Sequence, residues 1–246
     1  MDRSNSETRL SGVQTLWSQL RLAHDDGSDA RQAAREALLR RYAGAVRRYL
    51  IAVVRDREAA DDLAQEFALR FLRGDFRNAD PGRGRFRDYV KVAVLNLVND
   101  HHRRQKARPV PVPPEDLNRA DSADSDDGVF RECWGDELLG RAWKALAAVE
   151  RETGRPLHTV LKLRATHPKA SSTELAAQVG ARLGKAVTPA GVRQTLHRAR
   201  EKFAELLLDA VADTLDTATR DRLGEELEEL GLLDYCKPAL ENWQPR

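Results

Sequence analysis

The sequence has little of what cross-linked or membrane-anchored proteins need. Its 246 residues include only two cysteines, Cys133 and Cys236, which form no disulfide framework and which we expect to be packed thiols. The longest apolar run, LIAVV at 50–54, is far too short to span a bilayer. The chain does not begin with a basic segment followed by an apolar one. We therefore expect a cytoplasmic protein that has no membrane segment.

The sequence also lacks the usual motifs of enzymes. It contains no nucleophile triad, and its basic loop DPGRGRF at 80–86 does not follow the Walker pattern of phosphate-binding loops. Asp100, His101 and His102 raise the alternative of a metal-dependent phosphohydrolase. However, adjacent side chains on a helix point about 100° apart, and no second His/Asp cluster accompanies these three residues. We expect no enzymatic activity, no metal and no cofactor.

What the sequence does contain is charge, at 33% of its residues, and this charge is unevenly distributed. Residues 83–108 hold eight Lys/Arg against two Asp, whereas residues 115–137 hold nine Asp/Glu against two Arg. Blocks of opposite sign along one chain favour contact with a polyanion at one place and repel it at another.

Apolar residues recur at helical spacing along most of the chain, and no segment alternates with the period of a strand. Four prolines and many acidic residues between 109 and 128 predict a linker that cannot pack a core. The predicted fold class is all-α, with two small helical domains joined by this Pro/Asp-rich linker. We expect helices near 12–23, 29–55, 57–73, 85–106, 129–152, 156–166, 172–183, 189–213 and 217–231.

The predicted helix at 57–73 has two different faces. Its apolar face is formed by Ala60, Leu63, Phe67 and Phe71. The opposite face carries Asp62, Gln65, Glu66 and Leu69. An acidic face repels DNA, so it favours a protein partner, although a solvated face without any partner is the alternative.

The predicted helix at 85–106 also has two faces. Its core side is formed by Phe86, Val90, Ala93 and Leu97. A second side carries Arg85, Val92, Asn96, Asn99 and Arg103. Asparagine is a poor residue for a helix interior, but its amide suits base edges, and guanidinium groups suit phosphates. This side predicts nucleic-acid contact, with a plain solvated face as the alternative.

A pair of helices is predicted between 171 and 212. Ser171 and Glu174 fit a capping box, and Thr188 with Pro189 fits the start of the second helix. That second helix has an inward stripe of Val192, Leu196, Ala199 and Phe203. Its basic, glutamine-bearing outer face is typical of a helix-turn-helix, with an ordinary helical hairpin as the alternative because the connection is long.

Three motifs in this order resemble the bacterial RNA polymerase sigma factors of the extracytoplasmic-function (ECF) group. They are DDLAQEF at 61–67, LNLVNDHHRR at 95–104 and TPAGVRQTLHRAR at 188–200. The resemblance covers roughly residues 30–108 and 140–208. It implies a sigma region 2-like domain at 1–108, the linker at 109–128, a sigma region 4-like helix-turn-helix domain at 129–216 and an acidic helical C-terminal extension at 217–246.

The resemblance implies an alternative-type sigma factor that binds core RNA polymerase and recognises the −10 and −35 promoter elements to start transcription. The implied partners are promoter DNA and core polymerase, through its beta-prime clamp and its beta subunit. The residues implied for polymerase binding are Asp61, Asp62, Gln65 and Glu66. Those implied for the −10 element are Arg83, Arg85, Arg87, Asn96, Asn99, Asp100, Arg103 and Arg104. Those implied for the −35 element are Arg193, Gln194, His197, Arg198 and Arg200.

Further expectations follow from this resemblance. The loop at 74–86 is implied to capture a flipped promoter base, and the linker is implied to thread through the polymerase. The turn at 180–188 is longer than the family pattern, and Trp134 and Trp143 are expected to pack with the second domain. The extension either caps that domain or binds a regulator.

Two questions stay open at the level of sequence. The alternative to a sigma factor is a stand-alone helix-turn-helix DNA-binding regulator, which would have no use for the acidic face. An anti-sigma factor or a regulatory kinase also remains open as a further partner, because no motif in the chain decides for or against either.

Overall fold

The computed structural model describes residues 29–73, 86–106, 123–215 and 218–244. Within these ranges the chain forms nine α-helices and no strand, which confirms the all-α class. The expected helix at 12–23, the loop at 74–85 and residues 107–122 of the linker region lie outside the described residues. The helices are α1 (Asp29–Val54), α2 (Arg57–Arg73), α3 (Phe86–Lys106), α4 (Ala123–Thr153), α5 (Leu157–Thr166), α6 (Ser172–Leu183), α7 (Pro189–Ala212), α8 (Arg220–Glu229) and α9 (Leu233–Glu241).

The chain divides into two compact units. Unit 1 comprises Met1–Glu137 and Thr214–Thr217, and unit 2 comprises Leu138–Asp213 and Ala218–Arg246. The division falls within α4 rather than in the expected linker. Helix α4 also begins at Ala123, so residues 123–128, expected in a non-helical linker, are helical. The helix starts with the sequence ADSDD, and aspartate is favoured near helix N-termini, which explains the earlier start.

A two-residue connection joins α1 to α2. Arg55 takes a positive φ of 59° directly after α1 ends. Asp56 then caps α2, because its Oδ1 accepts hydrogen bonds from the backbone N–H of Glu58 at 2.9 Å and of Ala59 at 3.2 Å. This cap confirms the predicted helix start and turns α2 back along α1.

The core of unit 1 is built from aromatic rings. Tyr42 of α1 stacks on Trp134 of α4 and meets the edge of Phe86 of α3, each with ring centroids 5.0 Å apart. Tyr49 and Phe130 meet edge to face, with ring centroids 5.4 Å apart. The expectation that Trp134 packs with the second domain is therefore wrong. Its helical turn belongs to unit 1, which a division at 109–128 would have cut away.

The predicted apolar faces hold with small exceptions. All four residues predicted to face inward from α2 are buried. On α3, Ala93 is only half-buried and Val94 and Val98 share the core instead. On α1, Ala52 in the last turn is exposed, while Tyr42, Ala45 and Tyr49 are buried.

Local capping interactions define the helix ends of unit 2. Glu150 of α4 accepts hydrogen bonds from the backbone N–H of Thr159 at 2.8 Å and from its hydroxyl at 2.5 Å. The predicted capping box of α6 is present, with Ser171 and Glu174 bonded reciprocally. The hydroxyl of Thr188 accepts from Gly191 N–H at 3.1 Å, which confirms the predicted start of α7.

The connection between α6 and α7 has the length that the predicted helices at 172–183 and 189–213 leave between them. Helix α6 continues to Leu183, so only residues 184–188 join the two helices. Gly184 ends α6 with a φ of 65°, a conformation that side chains other than glycine adopt rarely. A Cβ on Gly180 would lie 2.9 Å from the carbonyl oxygen of Lys185, so the chain folds closely back over α6.

Two short helices pack on the second half of α7. The predicted helix at 217–231 is shortened to α8, which buries Leu223 and Leu227. Helix α9, which buries Cys236 and Leu240, was not predicted, since Pro238 inside it is an interruption that normally ends a helix prediction. The last residues before the terminus therefore add to the core of unit 2.

Candidate functional site

Helix α2 presents a continuous outer face in unit 1. Asp62, Gln65, Glu66 and Leu69 follow one another at the spacing of one helix face, opposite the buried side of α2. Asp62 and Gln65 are exposed, and the side chain of Leu69 is 53% exposed. An acidic face ending in an exposed leucine combines charge with apolar area, a mixture that protein interfaces use.

The acidic residues on and beside this face differ in their partners. Asp61 forms two bonds with Arg47 of α1, from Nε to Oδ1 at 2.7 Å and from Nη2 to Oδ2 at 3.1 Å. Glu66 pairs with Arg70 one turn later on α2. No polar partner contacts the side chains of Asp62 and Gln65 within the described residues. Asp62 and Gln65 are therefore the groups most readily available to a partner.

Helix α3 presents the predicted polar face. Asn96 and Asn99 are exposed, and Val92 on the same side is 50% exposed. Arg103 continues this face by one further turn. The core of unit 1 therefore places both asparagine amides in solvent, as the helical spacing predicted, although they lie next to the buried Leu97 and Val98.

The arginines at the end of α3 are paired with carboxylates. Arg103 Nη2 lies 3.1 Å from Asp100 Oδ1 on the same helix. Arg104 Nη1 lies 3.8 Å from Glu66 Oε2, so this ion pair joins α3 to α2. His101 and Gln105 share a hydrogen bond of 2.9 Å between their side chains. The polar end of α3 is thus an ordered surface and not a set of separate charges.

The three arginines implied near the start of α3 have different outcomes. Arg87 is buried, with 7% of its surface exposed, and its Nε lies 3.8 Å from Asp88 Oδ1. Burial of this guanidinium does not fit the predicted direct contact with a phosphate, which requires an exposed cation. Arg83 and Arg85 lie outside the described residues and keep the status of predictions.

Helix α7 presents the predicted basic face in unit 2. The side chains opposite its buried stripe are exposed, and they are Arg193, Gln194, His197, Arg198 and Arg200. His197 Nε2 lies 3.3 Å from Glu201 Oε1, one turn further along. The three arginines have no carboxylate within ion-pair distance among the residues that the structure describes. The first three turns of α7 therefore offer unpaired guanidinium groups beside an amide.

The second half of α7 has a different character. Its outer residues become acidic at Glu201 and Glu205, and Lys202 pairs with Glu205 at 2.8 Å. Helix α9 packs there, with the hydroxyl of Tyr235 donating to the carbonyl oxygen of Arg200 at 3.4 Å and its ring against Phe203. The basic surface of α7 thus ends where the C-terminal helices begin to pack.

The thiols of both cysteines have a raised pKa in this fold. Both are free thiols, as predicted, and Cys236 is fully buried. Burial raises the pKa of Cys236 to about 11. Burial, followed by the carboxylates of Asp136 and Glu132, also raises the pKa of Cys133. A thiol with a raised pKa is a poor nucleophile and a poor metal ligand at neutral pH.

Among the described residues, no group of three or more His, Cys, Asp or Glu side chains is arranged to hold a metal ion. None of the described helices is long and apolar enough to cross a bilayer.

A protein-family model matches part of the chain. Residues 38–108 match the model of sigma-70 region 2. This match supports a sigma-70 family RNA polymerase sigma factor, with a role in promoter recognition and polymerase binding. No curated protein and no solved structure matches the chain significantly.

The sigma-70 region 2 match coincides with the geometry of unit 1. It spans most of α1 and all of α2 and α3, and so includes both faces described above. It ends at residue 108, before α4, although residues 123–137 of α4 complete the core of unit 1. Unit 2 lies outside the match, so a role for α7 in promoter recognition has to be argued from its own residues.

Sequence reasoning missed the partners of the predicted site residues. The Glu66–Arg70 pair has the i, i+4 spacing that stabilises helices, and this spacing is a signal that the sequence does provide. Arg47 lies 14 residues before Asp61, and Arg104 lies 38 residues after Glu66, so only the folded chain brings these pairs together. The sequence around Arg87 likewise contains no local signal that this side chain is buried.

Proposed function

We propose that this chain is an alternative-type sigma factor of the compact ECF kind, which recruits core RNA polymerase to promoters and opens the −10 element. One observation carries the proposal. Within the sigma-70 region 2 match, adjacent helices expose chemically opposite faces, one acidic with a protruding leucine and one with asparagines and arginines. The first suits a protein partner and the second suits nucleic acid.

The face of α2 is the proposed docking surface for the beta-prime clamp of core polymerase. Asp62, Gln65 and Leu69 make the first contact, because they are exposed and carry no competing polar partner in the described part of the chain. Asp61 and Glu66 flank them and contribute after exchanging partners with basic groups of the polymerase. Charge complementarity speeds association and selects the partner.

The face of α3 is the proposed surface for the melted −10 element. Asn96 and Asn99 offer donors and acceptors to unstacked bases, and Val92 offers apolar area for stacking or methyl contact. Arg103 and Arg104 bind the backbone after they leave their carboxylate partners, Asp100 and Glu66. Arg83 and Arg85, in the loop at 74–86 that precedes α3, are proposed to hold the strand while one base is flipped out.

Helices α6 and α7 are the proposed helix-turn-helix for the −35 element. The recognition surface is the first three turns of α7, where Gln194 lies between Arg193 and Arg198 on the side away from the core. Glutamine binds adenine through two bonds, and arginine binds guanine or phosphate. His197 and Arg200 border this surface. The five-residue connection is close to the usual three or four residues, which favours this geometry.

The remaining parts of the proposal follow from these surfaces. Residues 109–122 are proposed to thread through the polymerase between the two promoter contacts, and the beta subunit is the proposed partner of unit 2. The protein acts in the cytoplasm, where core polymerase and the chromosome are found. An anti-sigma factor or a kinase as a regulator remains open.

The second candidate is a stand-alone helix-turn-helix regulator. The unpaired cations of α7 favour it, because they would bind duplex DNA in the absence of polymerase. It does not account for the α2 face or for the match to sigma-70 region 2. Binding to core polymerase therefore separates the two candidates.

The test is co-elution of the purified protein with core polymerase, followed by run-off transcription on genomic fragments. We expect Asp62→Lys combined with Glu66→Lys to abolish co-elution at low and moderate salt while the helix content is kept, with a small decrease in melting temperature because Glu66 no longer pairs with Arg70 and Arg104. Exposed charges contribute little to stability, but like charges would then face each other across the interface.

A matched control is Glu132→Lys with Asp136→Lys, which makes the same charge change at the same i, i+4 spacing at two exposed positions of α4 in unit 1. We expect this control to keep co-elution. Undiminished co-elution of a folded Asp62/Glu66 double variant, or wild-type protein that never binds core polymerase, would favour the stand-alone regulator.

A further inference from the structure

We propose that the ion pair between Glu66 and Arg104 couples polymerase docking to DNA binding, so that each event favours the other. The inference rests on the proposed function of the two faces and adds a regulation to it. Glu66 belongs to the docking face of α2, and Arg104 belongs to the DNA-binding end of α3. This pair is the contact at which the two surfaces share charged groups within the described residues.

Glu66 cannot pair with Arg104 and with a basic group of the polymerase at the same time. Glu66 already holds Arg70 through Oε1 and Arg104 through Oε2, so both of its oxygens are occupied inside unit 1. A basic polymerase surface that takes Glu66 must compete with both arginines. Once it does, Arg104 has lost its carboxylate and is free to bind a phosphate.

The electrostatic consequence is a weakened DNA surface in the free protein. A guanidinium held by a carboxylate presents little net charge to a phosphate, and binding the phosphate exposes the carboxylate beside the DNA. Arg103 is held in the same way by Asp100. Both terminal arginines of α3 are therefore screened until another group replaces their carboxylates.

Linkage makes this effect reciprocal. If polymerase binding frees Arg104 and so strengthens DNA binding, DNA binding must strengthen polymerase docking by the same factor. The pair is partly solvent-exposed and spans 3.8 Å, so its contribution is that of a surface ion pair. We expect a coupling of about two- to five-fold. The free protein therefore binds DNA about two- to five-fold more weakly than it would without this ion pair, which reduces its binding to arbitrary DNA.

The first experiment uses the free, full-length protein and a fluorescein-labelled single-stranded 20-nucleotide DNA, with binding followed by fluorescence anisotropy at low salt. Glu66→Gln should tighten binding by about two- to five-fold, because it releases Arg104 while keeping the shape of the side chain. Asp62→Asn is the matched control. It removes the same charge one turn earlier on the same face, from a residue without an arginine partner.

A double-mutant cycle isolates the pair from the general loss of negative charge. In the Arg104→Ala background, Glu66→Gln should tighten binding no more than Asp62→Asn does. If Glu66→Gln and Asp62→Asn increase the DNA affinity equally in both backgrounds, Glu66 does not screen the charge of Arg104, and the proposal is wrong. DNA binding too weak to measure in every variant would overturn it as well.

The second experiment repeats the comparison with core polymerase present. The advantage of Glu66→Gln should disappear for DNA binding by the complex, since polymerase has already withdrawn Glu66 from Arg104. If the advantage persists unchanged, the coupling is wrong even where the screening holds. If the wild-type protein does not bind core polymerase, the proposed function fails, while the double-mutant cycle on the free protein still decides the screening.

Discussion

The α2–α3 surface of unit 1 and the α7 surface of unit 2 differ in whether their arginines have carboxylate partners. Arg103 and Arg104 each lie beside a carboxylate, whereas Arg193 and Arg198 have none within ion-pair distance among the described residues. An arginine without an internal partner binds phosphate at full strength in the free protein. A paired arginine has to exchange partners first, so its contribution depends on what else is bound.

This difference matches the two kinds of DNA that the proposal assigns to the units. Duplex DNA at a −35 element is present before polymerase arrives, so α7 can bind it without further events. Single-stranded DNA at a −10 element appears only when the promoter opens within the polymerase complex. A surface that is screened beforehand and released on docking suits the second situation.

The largest expected effect is a loss of stability when Trp134 or Trp143 is replaced, because these two tryptophans pack in different units. Trp134→Ala should destabilise unit 1 by about 3–5 kcal/mol, because it removes a fully buried ring that stacks on Tyr42. Trp143→Ala should act on unit 2, where that ring contacts Phe203 and His158. Urea unfolding followed by far-UV circular dichroism should show one weakened transition in each variant.

Function should divide in the same way. Trp134→Ala should lose co-elution with core polymerase and keep binding of unit 2 to duplex DNA, and Trp143→Ala should do the reverse. Loss of both properties in either single variant would show that the units do not fold independently, and the comparison between their surfaces would then lose its basis.

The smaller effect tests the pairing of the cations directly. Arg198→Ala should lower the slope of log affinity against log salt for duplex DNA by about one, as expected when one phosphate contact is lost. Arg103→Ala should change the slope for single-stranded DNA by clearly less than the roughly 0.7 expected per contact. When Arg103 moves to a phosphate, Asp100 is left to bind a cation, which cancels part of the counterion release.

Gln194→Ala is the control for this measurement. Gln194 is an uncharged neighbour of Arg193 on the same exposed surface of α7. Its replacement should weaken binding to a matching −35 sequence and leave the salt slope unchanged. Slopes that fall equally for Arg103→Ala and Arg198→Ala would remove the distinction between screened and open surfaces.

Much of the fold could be predicted because helices carry local signals. The caps at Asp56, Ser171 and Thr188 and the inner faces of α2 and α7 all follow from spacing and residue type within a few positions. Helix α9 could not be predicted, because Pro238 interrupts its local pattern and its packing on α7 provides the stability instead.

The candidate site likewise has features that local spacing predicts and features that only helix packing determines. Exposure of Asn96, Asn99 and the α7 arginines follows from helical periodicity, which is local. The pairing of Arg104 with Glu66 depends on how α2 and α3 pack, and local spacing does not contain that information. The same holds for the start of α4. Residues 123–128 have the composition of a linker and residues 129–137 were assigned to the second domain, while Phe130 and Trp134 fill the core of unit 1.

The smallest expected effect concerns the pH dependence of the scaffold beneath the α7 surface. Glu174 accepts a hydrogen bond from the backbone N–H of Ser171 at 2.6 Å in the capping box of α6. This bond, followed by the bond with the Ser171 side chain, lowers the pKa of Glu174. The capping box of Ser171 and Glu174 lies in unit 2, beneath the α7 surface.

The lowered pKa fixes the direction of the pH dependence. A carboxylate whose pKa is lower in the folded state stabilises that state above its unfolded pKa of about 4.3, and the contribution is lost as the pH falls through the folded value. Glu174→Gln keeps a capping box but cannot titrate there. The difference in melting temperature between wild type and Glu174→Gln should therefore be present at pH 7 and shrink towards pH 3. Ser171→Ala should lower stability by about 1 kcal/mol at pH 7, with a smaller loss at low pH. A difference between wild type and Glu174→Gln that stays constant from pH 7 to pH 3 would contradict the role of the carboxylate charge.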